Sequence, residues 1–169
     1  MAASGMNIQQ KIEKEIVAVI RSSGSMHMNS LMPYTVKSIT YNDFLSNKLL
    51  MMLVIRRGVP YSLFSLIQSS TPFSDNDWAN FLGVSTKSLQ RYKQSAKSFK
   101  PIHSEKIIGM AEVTNLGQDV FGEMKKFKLW LETPNFSLGN LKPVELLTDS
   151  YGKEMVMGEL TRINHGIFV

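Results

Sequence analysis

The sequence predicts an all-α protein, and three features carry that reading. Apolar side chains recur at helical spacing: Ile8, Ile12, Ile16 and Ile20 stand four residues apart among Lys11, Glu13, Lys14 and Glu15, and Val156, Leu160 and Ile163 repeat the pattern near the end. Cap and breaker residues cut the rest into helix-sized pieces. Asn42 and Ser74 are placed as N-caps, Pro60 and Pro143 as openers, and Gly58, Pro134 and Gly166 as stops. Finally, the segment DWANFLGVSTKSLQRYKQ, residues 77–94, has the layout of two short helices joined by a tight turn.

In chain order, the isoleucine helix must bury one stripe, and Ser22 to Ser25 end it. The loop-like stretch SGSMHMNSLMP follows. Its Met26, His27, Met28 and Met32 are soft side chains of the kind that bind copper(I), but no cysteine, second histidine or carboxylate lies near to complete a site, so a linker is the better reading. Asn42 caps a helix from Asp43 to about Arg57 with Phe44, Leu45, Leu49, Met52 and Leu53 inward. Its apolar run, Leu49 to Ile55, is bounded by Lys48 and Arg56 and is far shorter than the roughly 20 residues a membrane span needs. Pro60 opens a short helix over Tyr61 to Gln68, and Ser74, with Asp75 and Asp77 in the first turn, starts the next. Beyond Pro101, Ser104 is placed as the cap of a helix through Ile107, Ile108 and Ala111. Gly109 and Gly117 weaken its continuity, and Gly117 is positioned as a hinge between domains. A helix from Gln118 to Leu131 then carries Phe121, Met124, Phe127 and Leu131 on one face, with Asp119 and Glu123 early and Lys125, Lys126 and Lys128 late, the order that suits its dipole.

The charge is unevenly spread. Residues 1–73 hold seven basic and three acidic side chains, residues 74–110 six and three, and residues 111–169 six and eight. From Thr86 to Lys100 there are five basic side chains and no acidic one, which suits either a phosphate backbone or a plain solvated helix face. The turn segment weights the first. Gly83 can take a left-handed turn angle, Ala79 is small where two helices would touch, Leu82, Val84 and Leu89 fill the wedge, and Ser85 caps the second helix. That helix would present Ser85, Thr86, Lys87, Ser88, Gln90, Arg91 and Lys93 toward a DNA groove and its phosphates. Tyr92 stands where such motifs often have an aliphatic residue, and either braces the helix or reaches a phosphate.

The last forty residues are the most distinctive. Pro134 stops the preceding helix, Asn135, Ser137, Gly139 and Asn140 make a turn that Leu138 can pin, and Pro143 with Glu145 opens a short helix. With Trp130, Thr133, Pro134, Asn135, Leu138, Gly139, Pro143, Glu145, Leu146, Leu147, Gly152, Val156, Leu160, Ile163, His165 and Gly166 in register, this segment resembles the toxin-binding domain of Xre/MbcA/ParS-type antitoxins. The resemblance covers roughly residues 43–169. It implies a helix-turn-helix domain followed by a small helical toxin-binding domain, and a partner that is a RES-domain toxin consuming NAD. On that basis the chain divides into an N-terminal helix and linker, 1–41, a DNA-binding domain, 42–116, and a toxin-binding domain, 117–169. Trp130, Asn135, Leu138, Gly139, His165, Gly166, Ile167, Phe168 and Val169 become the toxin-contact candidates, the last three as an apolar tip with a carboxylate that could enter the NAD cleft.

Enzyme readings lack support. His27, His103 and His165 are far apart, none has metal-ligand spacing, and no nucleophile elbow or phosphate-cradling glycine loop is present. His165 beside Gly166 reads better as the cap of the final helix than as a catalytic group. The expectation is therefore an antitoxin, not an enzyme, with no metal and no cofactor, that binds operator DNA as a homodimer or within a larger hetero-oligomer with toxin. The absence of cysteine and of any export signal fits the cytoplasm, with no membrane partner. The alternative is a stand-alone helix-turn-helix regulator whose C-terminal part dimerises or senses a ligand.

Overall fold

The computed structural model describes residues 6–22 and 39–166. The described residues form ten α-helices and one 3-10 turn: α1 (Ile8–Arg21), α2 (Tyr41–Ser46), α3 (Lys48–Arg57), α4 (Tyr61–Ser69), α5 (Asp75–Leu82), α6 (Thr86–Ser95), α7 (Pro101–Phe121), α8 (Met124–Glu132), the 3-10 turn Phe136–Leu138, α9 (Pro143–Leu146) and α10 (Ser150–Asn164). The all-α expectation therefore holds. The methionine and histidine stretch at 26–32 and the tip at 167–169 lie outside the described residues. No helix among the described residues is long and apolar enough to cross a membrane.

The chain divides into two compact units. The first takes the chain up to Ser70 together with Tyr92–Ile108. Here Asn7 and Gln10 form a capping box that starts α1, and Ile12, Ile16, Val19 and Ile20 are buried as α1 packs on α2, α3 and α4. Burying each such aliphatic side chain contributes about 1.5–3 kcal/mol. Glu13 adds a long-range tie by accepting the Tyr41 backbone N–H at 3.0 Å. Deeper in the unit Phe99 meets Phe64 at 4.9 Å and stacks on Tyr92 at 4.2 Å, which settles Tyr92 as a brace. The Phe99 N–H donates to the Val59 carbonyl at 2.8 Å, and Gly58 is held at φ 91° with no room for a Cβ beside the Phe99 carbonyl.

Two expectations for this unit are corrected. The predicted helix from Asp43 to Arg57 is two helices, because Thr40, not Asn42, caps α2 in a box with Asp43, and the Asn47 side chain then accepts the N–H groups of Leu49 and Leu50 at 3.1 and 3.3 Å to start α3. The break re-phases the buried stripe to Leu50, Met51 and Val54 and leaves Leu49 53% exposed. Ser104 is not a cap. Helix α7 begins at Pro101, and the buried Ser104 hydroxyl accepts the Val59 N–H at 2.8 Å and donates to the Phe99 carbonyl at 3.3 Å.

The second unit takes Thr71–Arg91 and the chain from Gly109 onward. Phe73, Trp78 and Phe81 meet edge to face at 5.0 to 6.0 Å around α5. Farther along, Phe127 is fully buried between Phe121 at 6.0 Å and Trp130 at 6.2 Å. Gly117 is therefore no hinge. Helix α7 runs through it, and a side chain there would collide with the Phe127 ring. The break between α7 and α8 falls instead at Gly122, with φ 71°. Helix α10 packs on α9 and on the 3-10 turn through Val156 and Leu160, and α9 also packs on α8. Gly152 is buried where a Cβ would fall onto the Leu146 carbonyl, and Lys153 reaches Glu112 at 2.7 Å.

Candidate functional site

Two exposed surfaces are built by local geometry. The first is the start of α6. Ser74 and Asp77 close a capping box at the head of α5, with the Ser74 N–H on the Asp77 carboxylate at 2.8 Å and the Asp77 N–H on the Ser74 hydroxyl at 3.2 Å. Helix α5 ends at Gly83, which takes the left-handed conformation, φ 65° and ψ 35°, and lets the Val84 N–H reach the Ala79 carbonyl at 3.0 Å. Ser85 then caps α6 by accepting the Ser88 N–H at 3.1 Å, and the two hydroxyls meet at 2.9 Å. Leu89 is the buried anchor of this helix.

The residues expected to face DNA separate into two sets. Thr86, Lys87, Gln90, Arg91 and Lys93 are exposed along α6. Ser85 is exposed but spent on the cap, and Ser88 is half-buried against it. No acidic side chain lies between Thr86 and Lys100, so this stretch of sequence is uniformly basic.

The second surface belongs to the C-terminal elements. Thr133 ends α8, and the loop that follows is tied to itself: the Asn135 side chain accepts the Ser137 N–H at 2.9 Å, its backbone N–H donates to the Leu141 carbonyl at 3.0 Å, and its carbonyl accepts the Asn140 N–H at 2.9 Å. Gly139 and Asn140 both sit at positive φ, 69° and 60°. Leu138 is buried beneath. The loop is thus a rigid mount, and the side chain it holds out is Phe136, 78% exposed.

Around this loop the expected toxin contacts take different places. Asn135, Leu138 and Gly139 shape the loop, while Trp130 is half-buried against Phe121 and Phe127. His165 ends α10, its Nδ1–H donating to the Thr161 carbonyl at 2.7 Å, and Gly166 follows at φ 70°. Ile167, Phe168 and Val169 are outside the described residues. Sequence reasoning missed the apolar side chains that are most exposed in the C-terminal elements: Leu129 at 67%, Phe136 at 78%, Leu141 at 47%, Tyr151 at 81% and Met155 at 49%. The signal for Phe136 was available, as a large apolar residue in a turn whose neighbour Leu138 already supplies the anchor.

Elsewhere, the His103 Nδ1 is buried without a hydrogen-bond partner near the start of α7. Burial first, then the ammonium groups of Lys100 and Lys106, hold its imidazole below the ordinary pKa of 6.5.

Comparison with known proteins bears on both surfaces. Residues 51–112 match the antitoxin Xre-like helix-turn-helix domain, and residues 116–166 match the antitoxin Xre/MbcA/ParS C-terminal toxin-binding domain. The chain is 27% identical to Antitoxin Xre of Photorhabdus laumondii over 115 residues, 68% of this chain and 78% of that protein. It is 33% identical to Antitoxin Xre of Yersinia enterocolitica over 87 residues, 51% of this chain and 59% of that one. Among solved structures, a chain in the crystal structure of the M. tuberculosis MbcT–MbcA toxin–antitoxin complex superimposes with a TM-score of 0.52 at 19% identity, covering 63% of this chain and 94% of that chain. At that identity the likeness is one of fold.

Proposed function

The chain carries both domains of the Xre/MbcA/ParS antitoxins and belongs to that family of antitoxins, which are not enzymes, and on this premise we propose that it neutralises a RES-domain toxin by closing the toxin's active site to NAD. The observation that carries the reading is the rigid loop that holds Phe136 out of the toxin-binding domain with Leu129 and Leu141 also exposed. Exposed aromatic and aliphatic side chains on a stiff backbone are the usual anchors of a protein–protein contact, since little conformational freedom is lost on binding. The DNA-binding domain, 42–116, would bring the same protein to its own promoter through Thr86, Lys87, Gln90, Arg91 and Lys93, and repress it. A dimer, or a larger assembly with toxin, would set two such helices on one operator in the cytoplasm.

The test is NAD consumption by a cognate RES-domain toxin, titrated with antitoxin. Full antitoxin should abolish it. Phe136→Ala should weaken toxin affinity by roughly 2 kcal/mol, about thirtyfold, with an unchanged melting temperature, because the ring supports nothing within its own fold. Uninhibited NAD loss with the wild-type chain, together with intact promoter binding, would instead favour a stand-alone regulator.

A further inference from the structure

Helix α10 carries an unexplained glycine. Two other glycines within helices have a neighbour that requires them, the Phe127 ring at Gly117 and the Leu146 carbonyl at Gly152, and a third, Gly109, lies against the flexible Lys153 side chain. Gly158 has nothing within 4 Å of where a Cβ would stand, and its φ lies outside the left-handed region. It is solvent-exposed in the middle of Ser150–Asn164, where alanine would make a better helix. No packing or backbone reason within the fold accounts for it.

Its surroundings supply one. At 100° per residue, Tyr151, Met155, Gly158 and Arg162 fall at i, i+4, i+7 and i+11, a single stripe beside the buried one of Gly152, Val156 and Leu160. Tyr151 is 81% and Met155 49% exposed, so the stripe offers two apolar side chains above a bare stretch of helix backbone, with Arg162 beyond it. A missing side chain next to exposed apolar ones, between Met155 and Arg162, lets another backbone approach the helix closely.

We propose that Gly158 is the point of closest approach between this chain and its toxin, the toxin laying main chain across the glycine while its apolar side chains receive Tyr151 and Met155. The toxin, rather than a second copy, is the occupant because the entire stripe lies within residues 116–166, the part that matches a toxin-binding domain. The inference rests on the proposed toxin contact and adds a second surface to the one around Phe136.

Free energies of folding and of binding should move in opposite directions. Gly158→Ala should raise the melting temperature of the free antitoxin by about 2–4 °C while lowering toxin affinity. Gly158→Leu, which also faces open solvent in the free chain, should fold with wild-type helicity and bind the toxin at least about tenfold more weakly. Affinity within twofold of wild type for Gly158→Leu overturns the assignment. So does a change in the sedimentation mass of the antitoxin alone with toxin affinity intact, which would place a second copy on the stripe. A wild-type chain that binds no toxin removes the underlying reading as well.

Discussion

The exposed face of α6 and the exposed faces of the C-terminal elements are built by similar means and offer opposite chemistry. Both rest on a left-handed glycine, Gly83 in one and Gly139 in the other, and both are pinned by a buried leucine, Leu89 or Leu138. Above those supports α6 shows Thr86, Lys87, Gln90 and Arg91, while the C-terminal elements show Leu129, Phe136, Leu141, Tyr151 and Met155. A cationic face acts through a field that reaches several ångströms and fades with salt; an apolar one acts only on contact, through fit and loss of water. The first tolerates small displacements. The second does not.

The largest effect should therefore come from disturbing the platform under the apolar face. Gly152→Val would drive a branched side chain onto the Leu146 carbonyl where α9 meets α10, and should cost about 3 kcal/mol or more in a denaturant melt, taking toxin binding with it. An unchanged denaturation midpoint would show that the start of α10 can shift without loss and that the mount is not stiff.

A smaller and differently shaped effect should follow from Lys87→Ala with Arg91→Ala. Fold and toxin affinity should stay as they are. Promoter affinity should fall at every salt concentration, and the slope of its logarithm against the logarithm of salt should drop by about two, one for each lost phosphate contact. If affinity fell with no change in slope, the pair would be reading bases rather than neutralising phosphates.

The smallest effect concerns His103. Its folded-state pKa lies below 6.5, so the unfolded chain takes up a proton first as pH falls, and stability should decline below about 6.5 and be unaffected above it. His103→Gln should flatten that decline when melts at about pH 8 and about pH 5.5 are compared. An identical pH slope in the variant would assign the acid sensitivity to other groups.

What the sequence made legible was local. The cap at Ser74, the turn at Gly83, the stop at Pro134 and the loop of Asn135 and Gly139 are each specified by residues within a few positions of one another, and each stands where it was expected. What it concealed depended on distant partners. Ser104 resembles a cap until Val59, 45 residues earlier, takes its hydroxyl. Gly117 resembles a hinge until Phe127 folds back over it. The Asn42 cap fails for a local reason, since Thr40 already pairs with Asp43. The exposed side chains of the C-terminal elements were hidden for another reason: an apolar residue in a helical pattern is ordinarily core, and only the folded packing separates the exposed Leu129 from the buried Leu131.

The bond between Val59 and Ser104 has a consequence for how the protein is made. The first unit lets the chain go at Ser70 and takes it back at Tyr92, and its interior is closed by groups 40 and 45 residues apart, Phe99 and Ser104 on Val59. Contacts so distant form late, after the intervening loop entropy has been overcome. During synthesis, then, α1 to α4 wait incomplete until Ser104 has left the ribosome. The first unit therefore cannot close on its leading helices alone, and a nascent chain stalled before that point would carry unclosed apolar surface to the chaperones and proteases that patrol for it.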